Sequence, residues 1–166
     1  MIGVIGVAIV PSPIGPLHIV ADEAITGLRF GDGPPATAPT PLLREAAAQL
    51  AAWLDGRLFT FDLPLAPSGT PFQRAVWEAL RAIPYGATTS YGALAQALGR
   101  PTASRAIGAA NGANPIPIVV PCHRVIGASG ALVGFGGGLP AKRWLLGHEA
   151  RHAPGTLLGS GTTRSA

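Results

Sequence analysis

One nine-residue stretch, Ile118-Val119-Val120-Pro121-Cys122-His123-Arg124-Val125-Ile126, constrains this chain more than any other. Both of its ends are β-branched and apolar, the composition of a segment packed inside a fold. Its centre nevertheless holds a thiol, an imidazole and a guanidinium. Buried polar groups are costly unless they are paired, so the fold must deliver partners to this segment. Cys122 is the only cysteine in 166 residues, which excludes an internal disulfide and a cysteine-based metal site. Most free cysteines behave as small buried hydrophobes. The adjacent histidine and arginine fit instead the electropositive, partly accessible surroundings that favour a thiolate. Cys122 is therefore a candidate nucleophile.

Hydrophobic residues make up 48% of the chain and charged ones 12%, so it is expected to fold rather than remain solvated. No run reaches the length of a membrane span. Met1 to Val10 lacks a basic leader and soon meets prolines, so it reads as a strand rather than a signal peptide. With a single cysteine, the cytoplasm is the expected compartment.

Residues 1–66 read as a small α/β unit. Gly3 to Val10, Leu17 to Ala21 and Ile25 to Phe30 are expected strands, separated by Pro/Gly turns. Pro41 opens a helix whose apolar residues, Leu42 to Leu54, recur near helical spacing until Gly56. No cluster in this half points to chemistry, and a supporting role is expected. Residues 67–152 read as mainly helical. Thr70 and Gln73 form a capping box around Pro71, and Pro84 stops that helix. Ser90 caps a second helix ending at Gly99, and a third runs from Ala103 to about Gly112. Short helices joined by tight Gly/Pro turns make a helix-turn-helix pattern. The third is nearly smooth, because Ala106, Gly108, Ala109, Ala110 and Gly112 let another backbone come close. That neighbour is either another helix or a sugar-phosphate strand. Pro140 opens a last helix, and residues 153–166 are expected to form a flexible tail.

Charge divides along the same line. Residues 1–66 hold three arginines against six carboxylates, whereas residues 67–152 hold eight cations against two carboxylates. The basic half is the half with the cysteine, which suits a phosphate-rich partner.

The segment Asn114-Pro115-Ile116-Pro117-Ile118-Val119-Val120-Pro121-Cys122-His123-Arg124-Val125-Ile126-Gly127 resembles the active-site signature of the O6-alkylguanine-DNA alkyltransferases. Ser90-Tyr91-Gly92, Arg105-Ala106-Ile107-Gly108 and the stretch from Lys142 to Glu149 match as well. The likeness is good from Thr70 to Glu149 and loose over the first 66 residues. It implies an α/β protein: a small N-terminal α/β, ribonuclease H-like domain (1–66), then a mainly helical, winged helix-turn-helix-like domain (67–152) carrying the cysteine. It implies irreversible, single-turnover transfer of an alkyl group from O6-alkylguanine in DNA to Cys122, and allows O4-alkylthymine as a second substrate.

Site residues follow from the same resemblance. Cys122 acts through water on His123, and Glu149 orients that imidazole, as a carboxylate does in a triad. Asn114 braces the backbone. Tyr91 contacts the extruded base, and Arg105 replaces it in the duplex. Gly108 and Ala109 lie on the helix that enters the minor groove. Val125 and Gly136 offer N–H groups to the leaving oxygen, and Phe135, where the family has tyrosine, walls the alkyl pocket. No metal and no soluble cofactor are expected, and the protein is expected to be a monomer that binds DNA, with cooperative binding an open alternative. Two other readings stand beside this one. An alkyltransferase-like protein would hold the lesion without reacting, and a cysteine hydrolase would turn over with Cys122 and His123.

Overall fold

In the computed structural model, which describes residues 4–154, short, largely apolar runs bounded by turn residues form three antiparallel strands. They are β1 (Gly6–Val10), β2 (Leu17–Ala21) and β3 (Ile25–Phe30), in that spatial order. Val10 pairs with Leu17, and Leu17 with Phe30, so the β1–β2 turn and the far end of β3 share one edge of the sheet. The expected beginning of β1 at Gly3 lies outside the described residues. Helix α1 (Pro41–Leu54) begins where Thr40 Oγ1 accepts the Leu43 N–H at 3.2 Å. Its buried face, Leu43, Ala46, Leu50 and Trp53, covers β1 and β2.

The remaining helices are α2 (Pro71–Arg81), α3 (Tyr91–Ala97), α4 (Ser104–Gly112) and α5 (Leu139–His152). The capping box at α2 forms in both directions, Gln73 N–H to Thr70 Oγ1 at 3.1 Å and Thr70 N–H to Gln73 Oε1 at 2.9 Å. Ser90 caps α3 by accepting from Ala93 N–H at 3.0 Å. Trp77 Nε1 donates to Ala110 O at 2.8 Å and ties α2 to α4. One continuous core runs from Leu17, Leu28 and Trp53 through Trp77 and Ile107 to Val125 and Leu145. The sheet and the helices therefore bury their apolar faces against each other.

At its centre the cysteine segment turns: Cys122–Arg124 forms a 3-10 helix. Pro121, at ψ 66°, leads into the turn, and the Val125 N–H donates back to Cys122 O. A short parallel pair follows, β4 (Thr89–Ser90) with β5 (Val125–Ile126). Just before the turn, Ile118 adopts φ +73°, the only positive φ at a non-glycine among the described residues. Such a conformation costs on the order of 1–3 kcal/mol, and full burial of Ile118 holds it there. Residue 153, the expected start of the tail, packs against the fold. Ala153 is buried, and its N–H donates to Glu149 O at 2.9 Å; residues 155–166 lie outside the described part. No described helix is long and apolar enough to cross a membrane.

Candidate active site

The turn at Cys122–Arg124 sends three successive side chains in different directions. Cys122 opens into a cavity of about 440 Å³. Asn111, Asn114, Phe135, Gly136 and residues 26–30 of the sheet line it. His123 points the other way, fully buried, and its Nε2 donates to Glu149 Oε2 at 2.8 Å. Its remaining ring nitrogen, Nδ1, is buried with no protein partner. No hydrogen bond joins the thiol to the imidazole directly.

Arg124 does not face the thiol. Its Nε and Nη2 grip the Glu149 carboxylate at 2.7–3.1 Å, and its Nη1 donates to Ile83 O at 2.6 Å. The Gly86 N–H adds a further donor at 3.2 Å. Burial alone would raise the Glu149 carboxyl, but hydrogen bonds from His123 and Arg124 and their charges outweigh it and hold it at about 2. Glu149 is thus a carboxylate at every ordinary pH. Burial lowers the His123 pKa, against the pull of Glu149, so the imidazole rests neutral with its proton on Nε2.

The thiol departs from expectation. Cys122 is only 5% exposed, and burial pushes it up to about 11; the Asn114 amide, the Lys142 charge and its own backbone bond pull it back only partly. The neighbouring arginine contributes nothing to a thiolate because its charge is taken by Glu149. At rest the site holds a thiol beside a neutral imidazole.

Asn114 braces the backbone that leads to the cysteine, donating to Val120 O at 2.8 Å and accepting from Ile116 N–H at 3.0 Å. Tyr91, Gly108, Phe135 and Gly136 line a second, more open cavity of about 460 Å³, which shares Asn111 and the glycine loop with the first. The Tyr91 hydroxyl donates to Val133 O at 3.3 Å. Arg105 and Ala109 lie on the exposed face of α4 with Ala106, Gly112 and Ala113, while Ile107, Ala110 and Asn111 face inward. The Val125 N–H, expected to face the leaving oxygen, is already engaged with Cys122 O.

Residues 71–151 match the family model described as 6-O-methylguanine DNA methyltransferase, DNA binding domain. Over 155 residues the chain is 52% identical to the methylated-DNA–protein-cysteine methyltransferase of Mycolicibacterium paratuberculosis, covering 89% of this chain and 94% of that one. The chain belongs to the methylated-DNA–protein-cysteine methyltransferase family. A relative from Methanosarcina acetivorans is 48% identical over 147 residues, covering 84% of this chain and 94% of its own. The fold agrees: the Mycobacterium tuberculosis OGT in complex with DNA superposes with a TM-score of 0.79 at 49% identity, over 90% of this chain and 95% of that one. The M. tuberculosis O6-methylguanine methyltransferase gives a TM-score of 0.80 at 44% identity, over 93% and 98%.

Within this methyltransferase fold, several residues of the site had no assigned part in the sequence reading. Asn111 is 5% exposed and donates to Cys122 O at 3.4 Å; it is the one polar side chain on the inner face of a helix of small residues, a signal that was available. Lys142 is fully buried and donates to Val125 O and Val133 O at 2.7 and 2.9 Å. Beside Arg143 it looks like any surface lysine, and nothing local distinguishes it. Trp53 and Phe30 come from the half that was expected only to support.

Proposed function

We propose that this chain repairs DNA by moving an alkyl group from O6-alkylguanine to its own Cys122, once per molecule. The observation that carries the reading is the buried His123–Glu149 pair at 2.8 Å directly behind a cysteine that lines a cavity. The Cys122 Sγ attacks the alkyl carbon as the C–O6 bond breaks, and that bonding pair leaves with guanine. The thiol proton passes through one water to His123 Nδ1 and ends on the departing base. Glu149 stabilises the imidazolium formed in between, in the manner of a triad carboxylate. An already ionised nucleophile is therefore unnecessary at rest.

Gly136 N–H is the donor toward the leaving O6, with Val125 joining only if its turn opens. Asn114 holds the backbone around the thiol, and Phe135 walls the alkyl pocket. The target base cannot be reached inside the stack and must be extruded. The smooth exposed face of α4, with Gly108 and Ala109, enters the minor groove. Arg105 takes the place of the flipped guanine, and Tyr91 meets the base and its phosphate. In this reading residues 67–152 form a winged helix-turn-helix-like DNA-binding domain. Residues 1–66 form a ribonuclease H-like unit behind it, and the protein acts as a cytoplasmic monomer.

Intact mass measured after mixing with an O6-methylguanine duplex tests the proposal. One added methyl per protein, mapped to Cys122, is expected. Repeated turnover, or an unmodified cysteine after the lesion disappears, would overturn it.

A further inference from the structure

We propose that Phe30, on strand β3 of the N-terminal sheet, sets the size of the O6 substituent that Cys122 accepts. The proposal rests on the alkyl-transfer reading and extends it to a half of the chain that carries no reacting group.

Three observations converge on this phenylalanine. Phe30 and Cys122 line the same cavity of about 440 Å³, with Phe135 on the wall between the two openings. The extruded guanine must enter together with its O6 substituent, so the room left beside the sulfur, rather than the whole chamber, limits the substituent. The Phe30 ring meets that of Phe135 edge to face, with centroids 5.4 Å apart and planes at 67°. It also lies flat over the glycine loop. A Cβ on Gly137 would come within 3.0 Å of three Phe30 ring atoms, so the loop approaches this closely only because residue 137 is glycine.

The strand that carries Phe30 is fixed to a second lining segment as well. The Leu28 N–H donates to Pro115 O at 2.9 Å, next to Asn114. One strand therefore contacts two lining segments of the chamber: Pro115, beside Asn114, through a backbone bond and Phe135-Gly137 through the Phe30 ring. A smaller residue there leaves room for a larger substituent and releases Phe135 to tilt back. A larger one drives Phe135 toward the sulfur. The substrates affected are guanines with aryl or branched O6 groups, and methyl is affected least.

The readout is the ratio of rates for two duplexes of identical sequence, one with O6-benzylguanine and one with O6-methylguanine. DNA binding and base extrusion cancel in that ratio. Phe30→Ala should raise the benzyl-to-methyl ratio by on the order of tenfold, a barrier difference of about 1.4 kcal/mol, and Phe30→Trp should lower it similarly. Phe30→Leu, a milder change, should shift it in the direction of alanine and covers the case in which alanine does not fold. A ratio unchanged in all folded variants, or equal losses on both substrates, would make Phe30 a packing residue and overturn the inference. Failure of the unsubstituted protein to take up methyl at Cys122 would instead overturn the transfer reading itself.

Discussion

His123 and Glu149 are joined by a 2.8 Å bond between two side chains that water scarcely reaches. Replacing Glu149 with Gln keeps the shape and removes the charge that stabilises a protonated imidazole. Alkyl transfer should slow, while lesion-DNA binding should change little. Single-turnover rates and binding measured on the same oligonucleotide check this; parental rates would make Glu149 a bystander.

The same carboxylate predicts a shape for the acid stability profile. Its folded pKa of about 2 lies below the ordinary 4.5, so folding favours the charged form. The stabilisation, roughly 3 kcal/mol, is complete above about pH 4.5 and is lost as the pH falls toward 2. Urea midpoints for the parent should drop across that window, and Glu149→Gln should remove this part of the drop. At neutral pH that variant leaves the Arg124 charge buried without its anion, a loss on the order of 3–5 kcal/mol. Adding Arg124→Met should restore part of that stability but none of the transfer rate.

Thiol titration provides an independent check on the resting state. With Cys122 pushed up to about 11 by burial, alkylation by iodoacetamide should be slow at pH 7 and should inflect well above the ~8.5 of a free thiol. Repair should not follow that curve, because the proton leaves through His123. It should be level across neutral pH and fall only on the acid side, where the lowered imidazole pKa is passed and His123 can no longer accept. A repair profile that rises in parallel with thiolate formation would contradict the relay.

Trp53 lies edge-on to His123, with centroids 6.2 Å apart at 76°, and its carbonyl accepts from His148 Nε2 at 2.8 Å. It is fully buried, and its Nε1 has no partner, so Trp53→Phe deletes volume without breaking a side-chain hydrogen bond. Stability should fall by less than the ~3–5 kcal/mol of a change to alanine. The imidazole loses one wall, and transfer should slow by more than lesion binding weakens. Unchanged transfer in the folded fraction would confine Trp53 to packing.

Arg105 separates base extrusion from chemistry. It is exposed on α4, and unstacking a base costs a few kcal/mol. Arg105→Ala should therefore slow duplex repair by on the order of tens-fold, while reaction with free O6-benzylguanine stays near the parental rate. Removing any DNA-facing arginine also weakens phosphate binding, and Arg105→Lys at saturating DNA controls for that. Full duplex activity in the lysine variant would reduce Arg105 to an electrostatic contact.

What was legible in the sequence was local. Strands β2 and β3 fall on their expected residues because apolar runs and the turn residues that bound them agree there. The caps at Thr40, Thr70 and Ser90 require only neighbouring atoms. The 3-10 turn at Cys122 was not legible, since it depends on Pro121 and on an Ile118 conformation that only tertiary burial maintains. Spacing alone would have left Glu149 on the surface. Its burial follows from α5 meeting a turn 25 residues earlier, and only that meeting draws Arg124 away from the thiol. Phe30 and Trp53 were readable as apolar core residues, but no periodicity says which buried side chain also borders a reacting group.

The enclosed, protonated state of Cys122 has a consequence for how long the molecule remains useful. A reagent that works only once is wasted by any earlier encounter with peroxide or a stray electrophile. Such oxidation proceeds fastest at exposed thiolates, and this sulfur is neither exposed nor ionised. Readiness comes from the proton path behind the sulfur rather than from the sulfur itself. Each molecule can therefore wait through a long search for damage with its one reaction still unused.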